Sequence, residues 1–227
     1  MRLLFVGNSH TYLNYMPQMV KRLVEASGHR SPVEVAQSVG DAVGLEWHWG
    51  NARTRELIAR GGWDFVVLQD RSGGPLKNRD SFERHARLLN AEIRAAGART
   101  VLYMTWAHRL HPQTQAEIAD AYASVAAELD AVLAPAGLAW QRALHLDPVL
   151  ALHHADGRHA SAAGSYLSAC VLYAVLTGAS PVGLPAGFMI EGKRRPELAP
   201  ETAGLLQRVA AELAPGSAGC GRLGRGS

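Results

Sequence analysis

The sequence predicts an α/β fold, a three-layer α/β/α sandwich built on a five-stranded parallel sheet. Three observations carry this prediction. Short β-branched or aliphatic runs alternate with longer stretches whose apolar residues recur at helical spacing, the pattern of a parallel sheet covered on both faces. Several helical stretches stop at glycine, which readily takes the left-handed conformation that closes a helix. The chain has 227 residues, 48% of them hydrophobic, a size that one hydrophobic core can serve.

Leu3 to Val6 is the first predicted strand. Met16, Met19, Val20, Leu23 and Val24 then recur at helical spacing and stop at Gly28, giving the first helix. Val33 to Val39 is the second strand, Asp64 to Gln69 the third and Thr100 to Thr105 the fourth, with a helix between each pair. The helix before the third strand ends at Gly61-Gly62, and the one before the fourth ends at Gly97. Ile118, Tyr122, Val125, Leu129 and Val132 mark a fourth helix, after which Gly137 to Gln141 is expected to form a last short strand. A final helix from Ser161 to Leu176 closes at Gly178.

This rhythm is flavodoxin-like, and in such sheets the ligand crevice lies outside the carboxyl ends of the strands. Residues just after the strands become the candidates for chemistry: Ser9, Gly40, Gln69, Trp106 to His108, and the loop before the last helix. Residues 1–185 are expected to form the domain and 186–215 an extension packing on it. Residues 216–227 lack apolar periodicity and are expected to be disordered. There is no internal repeat.

Composition argues against several other classes. No apolar stretch reaches the roughly 20 residues that cross a bilayer, so no membrane span is expected. The opening Met-Arg-Leu-Leu-Phe-Val-Gly runs directly into a motif with no cleavable leader, so a cytoplasmic location is expected. Cys170 and Cys220 are the two cysteines, one in a predicted buried helix and one in a Gly-rich tail, which gives no basis for a structural disulfide. The formal net charge is only +3. The run Lys193-Arg194-Arg195 and tail residues Arg222 and Arg225 have no interleaved aromatics, so they read as solvated surface and no nucleic-acid partner is expected.

Two constellations carry chemistry. Gly7-Asn8-Ser9-His10-Thr11 lies where the first strand turns toward the first helix, exposing a serine at the rim with its own N–H aimed where an oxyanion could sit. Read alone, it is equally a polar turn. Asp156-Gly157-Arg158-His159 lies just before the last helix. An Asp and a His three positions apart can project to one side, the carboxylate holding one imidazole nitrogen while the other faces a nucleophile. A serine hydroxyl needs such a pair to attack at neutral pH.

With these residues in this order the chain resembles the SGNH hydrolases, also called GDSL esterases and lipases, over about residues 1 to 180. Gly7-Asn8-Ser9 matches the first block, with Asn where Asp is more frequent, and Asp156 and His159 match the last. The order Ser, Asp, His, without a Gly-x-Ser-x-Gly elbow, separates the chain from the α/β-hydrolase fold. The resemblance implies an SGNH-type serine esterase with Ser9, Asp156 and His159 as catalytic residues and no cofactor. It also implies an oxyanion hole formed by the Ser9 N–H, a glycine N–H and a side-chain amide. Gly40 fits the glycine, with Gly44 close enough to compete. The family's Gly-x-Asn-Asp is absent; Val66-Val67-Leu68-Gln69-Asp70-Arg71-Ser72 stands there, so Gln69 is expected as the amide, against Ser72 or no side-chain donor.

His10, Trp106 and His108 are expected to contact substrate, and Trp47, His48 and Trp49 either wall a pocket or belong to the core. The substrate is expected to be a small-molecule or carbohydrate ester with a short acyl group. Two rivals stand beside this reading. One is a metal hydrolase using His108, His111, His153, His154, Asp156 and His159, although their spacing matches no compact zinc pattern. The other is a binding module that has kept the fold and lost the chemistry.

Overall fold

A computed structural model describes residues 1–29 and 32–213 of the chain. Strands β1 (Arg2–Gly7), β2 (Glu34–Val39), β3 (Phe65–Leu68), β4 (Arg99–Tyr103) and β5 (Val132–Ala134) form one parallel sheet in the order β2-β1-β3-β4-β5. Helices α1 (Ser9–Tyr12) and α2 (Met16–Ala26) follow β1, and α3 (Leu45–Gly50) and α4 (Ala52–Ala59) follow β2. Next come α5 (Gly74–Lys77) and α6 (Arg79–Ala95) after β3, α7 (Gln115–Leu129) after β4, and α8 (Ala136–Leu146) and α9 (Ala162–Thr177) after β5. An antiparallel hairpin, β6 (Phe188–Ile190) and β7 (Lys193–Arg195), leads to α10 (Pro200–Leu213). The chain is thus an α/β protein with a five-stranded parallel sheet.

The two-residue period of a strand divides the core in two. Leu3 and Phe5 of β1, Val67 of β3 and Val101 and Tyr103 of β4 face one side, where they meet α2, α8, α9 and α10. Leu4, Val6, Val66, Leu68 and Leu102 face the other, where they meet α4, α6 and α7. Both faces are covered, so the inner strands read as continuous apolar runs.

The last strand differs from expectation. Residues 137–141 lie inside α8, and β5 occupies Val132–Ala134, where the apolar period suggested helix. Helix α7 ends at Asp130, which takes the left-handed conformation (φ 50°) without a glycine to signal it. Three residues of strand, followed at once by Pro135, are too short to display alternation. Gly137 serves a close approach instead: a Cβ there would lie 2.1 Å from the Thr105 carbonyl oxygen.

Helix α9 has no polar face, and all but one of its residues from Gly164 to Leu176 are buried. A helix apolar all round needs cover on every side. Helices α2, α8 and α10 supply it together with the sheet. Gln207 of α10 fastens this layer: its amide donates to the Tyr166 hydroxyl and the Leu184 carbonyl (both 2.7 Å) and accepts from the Gly183 N–H (3.0 Å). Residues 216–227, expected to be disordered, lie outside the described residues. No helix among those described is long and apolar enough to cross a membrane.

His48 ties the end of β1 to α3 and α4. Its Nε2–H donates to the Gly7 carbonyl (3.0 Å), which leaves Nδ1 to accept from the Thr54 hydroxyl (3.0 Å); Thr54 in turn pairs with Ser38 (2.8 Å). His48 is fully buried, so it belongs to the core rather than to a pocket wall. Burial pushes its imidazole down from 6.5 to about 4.

Leu206→Ala, in the buried face of α10, should lower unfolding free energy by about 2–4 kcal/mol in urea titrations; wild-type stability would mean that α10 is not part of the core. The folded His48 resists protonation more than the unfolded chain does. Its contribution is therefore fully present above about 6.5 and is lost as pH falls from 6.5 toward 4, on the order of 3 kcal/mol in total. His48→Gln should flatten the stability profile across that window; an unchanged slope in the variant would count against the neutral, buried imidazole.

Candidate active site

Ser9 opens α1 directly after β1, and the turn that presents it is over-determined by hydrogen bonds. Asn8 caps the helix, its Oδ1 accepting from the His10 N–H (3.0 Å), while its Nδ2 donates to the Val43 carbonyl (2.8 Å). An Asp at this position would lack the second donor, which accounts for Asn in this chain. The Asn8 N–H and the Thr11 hydroxyl both donate to Gln69 Oε1, at 2.9 and 2.8 Å. Gly7 makes room for this: a Cβ there would fall 2.4 Å from Thr11 Oγ1 and 2.5 Å from Gln69 Oε1.

His159 reaches Ser9 from the loop before α9. His154 and His159 pair across a tight turn (His154 N–H to His159 carbonyl, 2.8 Å) in which Gly157 takes φ 70°. Asp156 Oδ1 accepts the N–H groups of Arg158 (2.8 Å) and His159 (2.9 Å), and Oδ2 accepts from His159 Nδ1 (2.6 Å). The imidazole bond first, then the Arg158 N–H, hold the Asp156 carboxyl far below the usual carboxylate range. With Nδ1–H donated to Asp156, Nε2 is the acceptor, 3.0 Å from Ser9 Oγ. Ser9, His159 and Asp156 therefore form a continuous relay able to draw a proton off the serine.

Asn14 holds the two ends of this relay together. Its backbone is left-handed (φ 55°), as is that of Tyr15 (φ 60°), an uncommon pair of non-glycine residues in that region. The Asn14 amide donates to the Ala160 carbonyl (3.0 Å), the Ser161 carbonyl (3.1 Å) and Ser165 Oγ (2.9 Å), next to His159. From below, Trp106 Nε1 donates to the Arg158 carbonyl (2.9 Å), and the Trp106 ring stacks on Trp140 at 3.8 Å.

Three expected site residues are placed differently. His10 is buried and lines neither cavity at this edge; it packs between Trp106 and His159, 5.2 Å from each ring. Burial, and then the His159 charge, push its imidazole down to about 4. Gln69 is completely buried, with Oε1 under the serine turn and Nε2 donated to the Asp70 carbonyl, so its amide is turned away from the crevice. The Gly40 N–H extends the β1–β2 ladder by bonding the Gly7 carbonyl (3.2 Å). Gly44 is extended and shows no such bond from its N–H among the described residues.

Asp70 is a site residue that sequence reasoning passed over. Its Oδ1 accepts from the Leu45 N–H (2.8 Å), and burial pushes its carboxyl up. A Cβ on Gly44 or Gly74 would stand 2.5 or 2.0 Å from its carboxylate oxygens, so those glycines were the available signal.

Two cavities open along this edge. A cleft of 510 Å³ is bounded by Gly44, Asp70, Arg71, Trp106, His108 and Arg158. Ser9, Asp156 and His159 do not line it; it reaches Arg158, the neighbour of His159, and Gly44, next to the Val43 that Asn8 holds. A second cavity of 630 Å³ lies beyond Trp106 and His108, against Trp140, Leu144 and Leu150. Trp106 and His108 border both, while Trp47 and Trp49 border neither. Among the described residues no three His, Cys, Asp or Glu side chains are grouped to hold a metal ion.

No protein-family model and no curated protein sequence matches this chain. Solved structures do. A DUF4886 family protein from Bacteroides uniformis superposes with a TM-score of 0.76 at 21% identity, covering 95% of this chain and 96% of its own. An acetylxylan esterase from Geobacillus stearothermophilus gives 0.60 at 15% identity over 76% of this chain and 90% of its own. At those identities the likeness is one of fold. A protein from Slackia heliotrinireducens, described as a candidate SGNH hydrolase, gives 0.67 at 31% identity, covering 78% of this chain and 98% of its own. At that identity, over nearly the whole of the relative, the likeness goes beyond fold, and this chain belongs to the SGNH superfamily of ester hydrolases.

Proposed function

We propose that the chain is a serine esterase that cleaves a short acyl group, acetyl above all, from a carbohydrate or other small alcohol through an acyl-enzyme on Ser9. The observation that carries this reading is the relay itself, Ser9 Oγ to His159 Nε2 at 3.0 Å and His159 Nδ1 to Asp156 at 2.6 Å. His159 takes the Ser9 proton as Oγ attacks the ester carbonyl, and the C–O bond to the alcohol then breaks as His159 returns the proton to the departing oxygen. Water attacks the acyl-enzyme with His159 again as base, releasing the acid and restoring Ser9. Asp156, ionised throughout, orients the imidazole and stabilises its charged form.

Negative charge on the carbonyl oxygen falls to the backbone N–H groups of Ser9 and Gly44. Gln69 acts from beneath, fixing the turn that carries Ser9. The acetyl-carbohydrate preference draws on the 510 Å³ cleft near the relay, whose lining mixes apolar and polar side chains, and on the fold shared with a protein described as an acetylxylan esterase.

A chain-length series of p-nitrophenyl esters, run beside acetylated xylan, tests the reading. Turnover should be highest with acetate. Ser9→Ala should lose at least about a thousandfold in kcat, and Asp156→Asn a comparable factor through the wrong imidazole tautomer. Retained turnover in Ser9→Ala would sink the proposal. Asn14→Gly relieves the left-handed backbone while removing the clamp on Ala160 and Ser161, and should lower kcat by roughly ten- to a hundredfold with little change in KM. A wild-type kcat in that variant would show that the clamp does not set the relay.

A further inference from the structure

The cleft beside the relay has a charge pattern that the esterase chemistry does not use. Arg71, Lys77 and Arg158 all border it, and none has a carboxylate partner within 4.0 Å among the described residues. Elsewhere on the surface Arg55, Arg79, Arg87 and Arg142 are each paired with a glutamate. Two acidic residues share the cleft, Glu46 and Asp70, against three basic ones, so the balance stays positive. Glu46 accepts from the Ser81 hydroxyl (3.0 Å), and Asp70 is buried with its carboxylate on the Leu45 N–H. Three cations without an ion-pair contact outnumber the carboxylates of this concavity and focus a positive field there, more strongly than the same charges on a convex surface.

The floor is suited to a ring. Leu76, Phe82, Trp106 and Ile118 give it an apolar base, and the cleft volume of 510 Å³ lies within the range of small-molecule sites. The direction of the reaction decides which part of the ester lies there. His159 must return its proton to the departing alcohol oxygen, so the alcohol leaves on the His159 side. The cleft reaches Arg158, the residue before His159, and the Trp106 indole fixes the Arg158 carbonyl at 2.9 Å.

We propose that the enzyme selects esters whose alcohol portion carries an anionic group, a carboxylate, sulfate or phosphate, held by Arg71, Lys77 and Arg158. This rests on the esterase reading above and adds a substrate class to it. Guanidinium groups suit the task because their planar fork matches the paired oxygens of such anions. The anion contributes mainly to binding, so its effect belongs in KM, and because the cations are exposed it should weaken with salt.

The experiment compares kcat/KM for p-nitrophenyl acetate, an acetylated methyl glucoside, the matching acetylated methyl glucuronide, and its sulfated and phosphorylated counterparts, at low and high salt. The anionic sugars should be preferred over the neutral one by about tenfold, in KM, with the preference shrinking at high salt. In Arg158→Gln and in the Arg71→Gln, Lys77→Gln double variant the anionic-to-neutral ratio should collapse toward one, with unchanged melting temperatures certifying the fold. The three anions, tested side by side, identify the one the cleft fits. Turnover of p-nitrophenyl acetate and the neutral sugar without any anionic preference would overturn this inference and leave the esterase reading standing. A preference for p-nitrophenyl hemisuccinate over acetate, with none for anionic alcohols, would overturn it by moving the anion to the acyl side. Loss of all ester turnover in the wild type would remove both.

Discussion

A 3.0 Å hydrogen bond between Ser9 and His159 joins residues 150 positions apart, and much of the molecule is arranged to keep that distance. The bond cannot organise the chain by itself, since one side-chain hydrogen bond contributes about 1 kcal/mol net. The two apolar layers on either side of the sheet do so. They set β1 inside the sheet, α2 against α9, and hence the first and last segments of the domain at the same carboxyl edge. On that scaffold Asn14 fixes the carbonyls just after His159, and Trp106 fixes the one just before it. The chain is thus held on both sides of His159, with the backbone strain at Asn14 and Tyr15 kept in place by the contacts around them.

Environment divides the polar residues near Ser9 into distinct roles. Asp156 and Asp70 are both carboxylates at this edge. Asp156 is half-exposed and accepts three hydrogen bonds, so it stays ionised and can support a charged imidazole; Asp70 is buried, its carboxyl pushed up, and it braces Leu45 beside Gly44. The imidazoles divide the same way. His10 and His48 are kept neutral by burial and pack or bridge, while His159, with one nitrogen on Asp156, faces the serine. Which group does chemistry and which holds the frame is set by solvent access and partners, not by residue type.

The same distinction decides what could be read from the sequence. The first four strands and the helices between them are visible because buried strands and amphipathic helices repeat every two or 3.6 residues. Strand β5 shows only three residues and escapes any periodicity, and the left-handed end of α7 is an Asp rather than a Gly. Ser9, Asp156 and His159 stand out because their order and position after the strands are linear features, and the structure brings them within hydrogen-bond reach. Gln69 has the right chemistry at the right strand end, yet the direction of a side chain is not a linear feature. The missing Cβ of Gly7 opens a space beneath the turn, and the Gln69 amide fills it. Asn14 gives almost no signal: an Asn tolerates left-handed backbone, but its three acceptors lie near position 160, and only the folded chain brings them close.

The proposed chemistry requires that His159 and Asp156 make Ser9 nucleophilic. Reaction of the intact protein with a fluorophosphonate, followed by peptide mass spectrometry, measures this directly. The account predicts stoichiometric labelling confined to the peptide carrying Ser9, and strongly slowed labelling when His159 is replaced by Ala. An unlabelled Ser9, or a label on Ser72 or Ser161 instead, would contradict it.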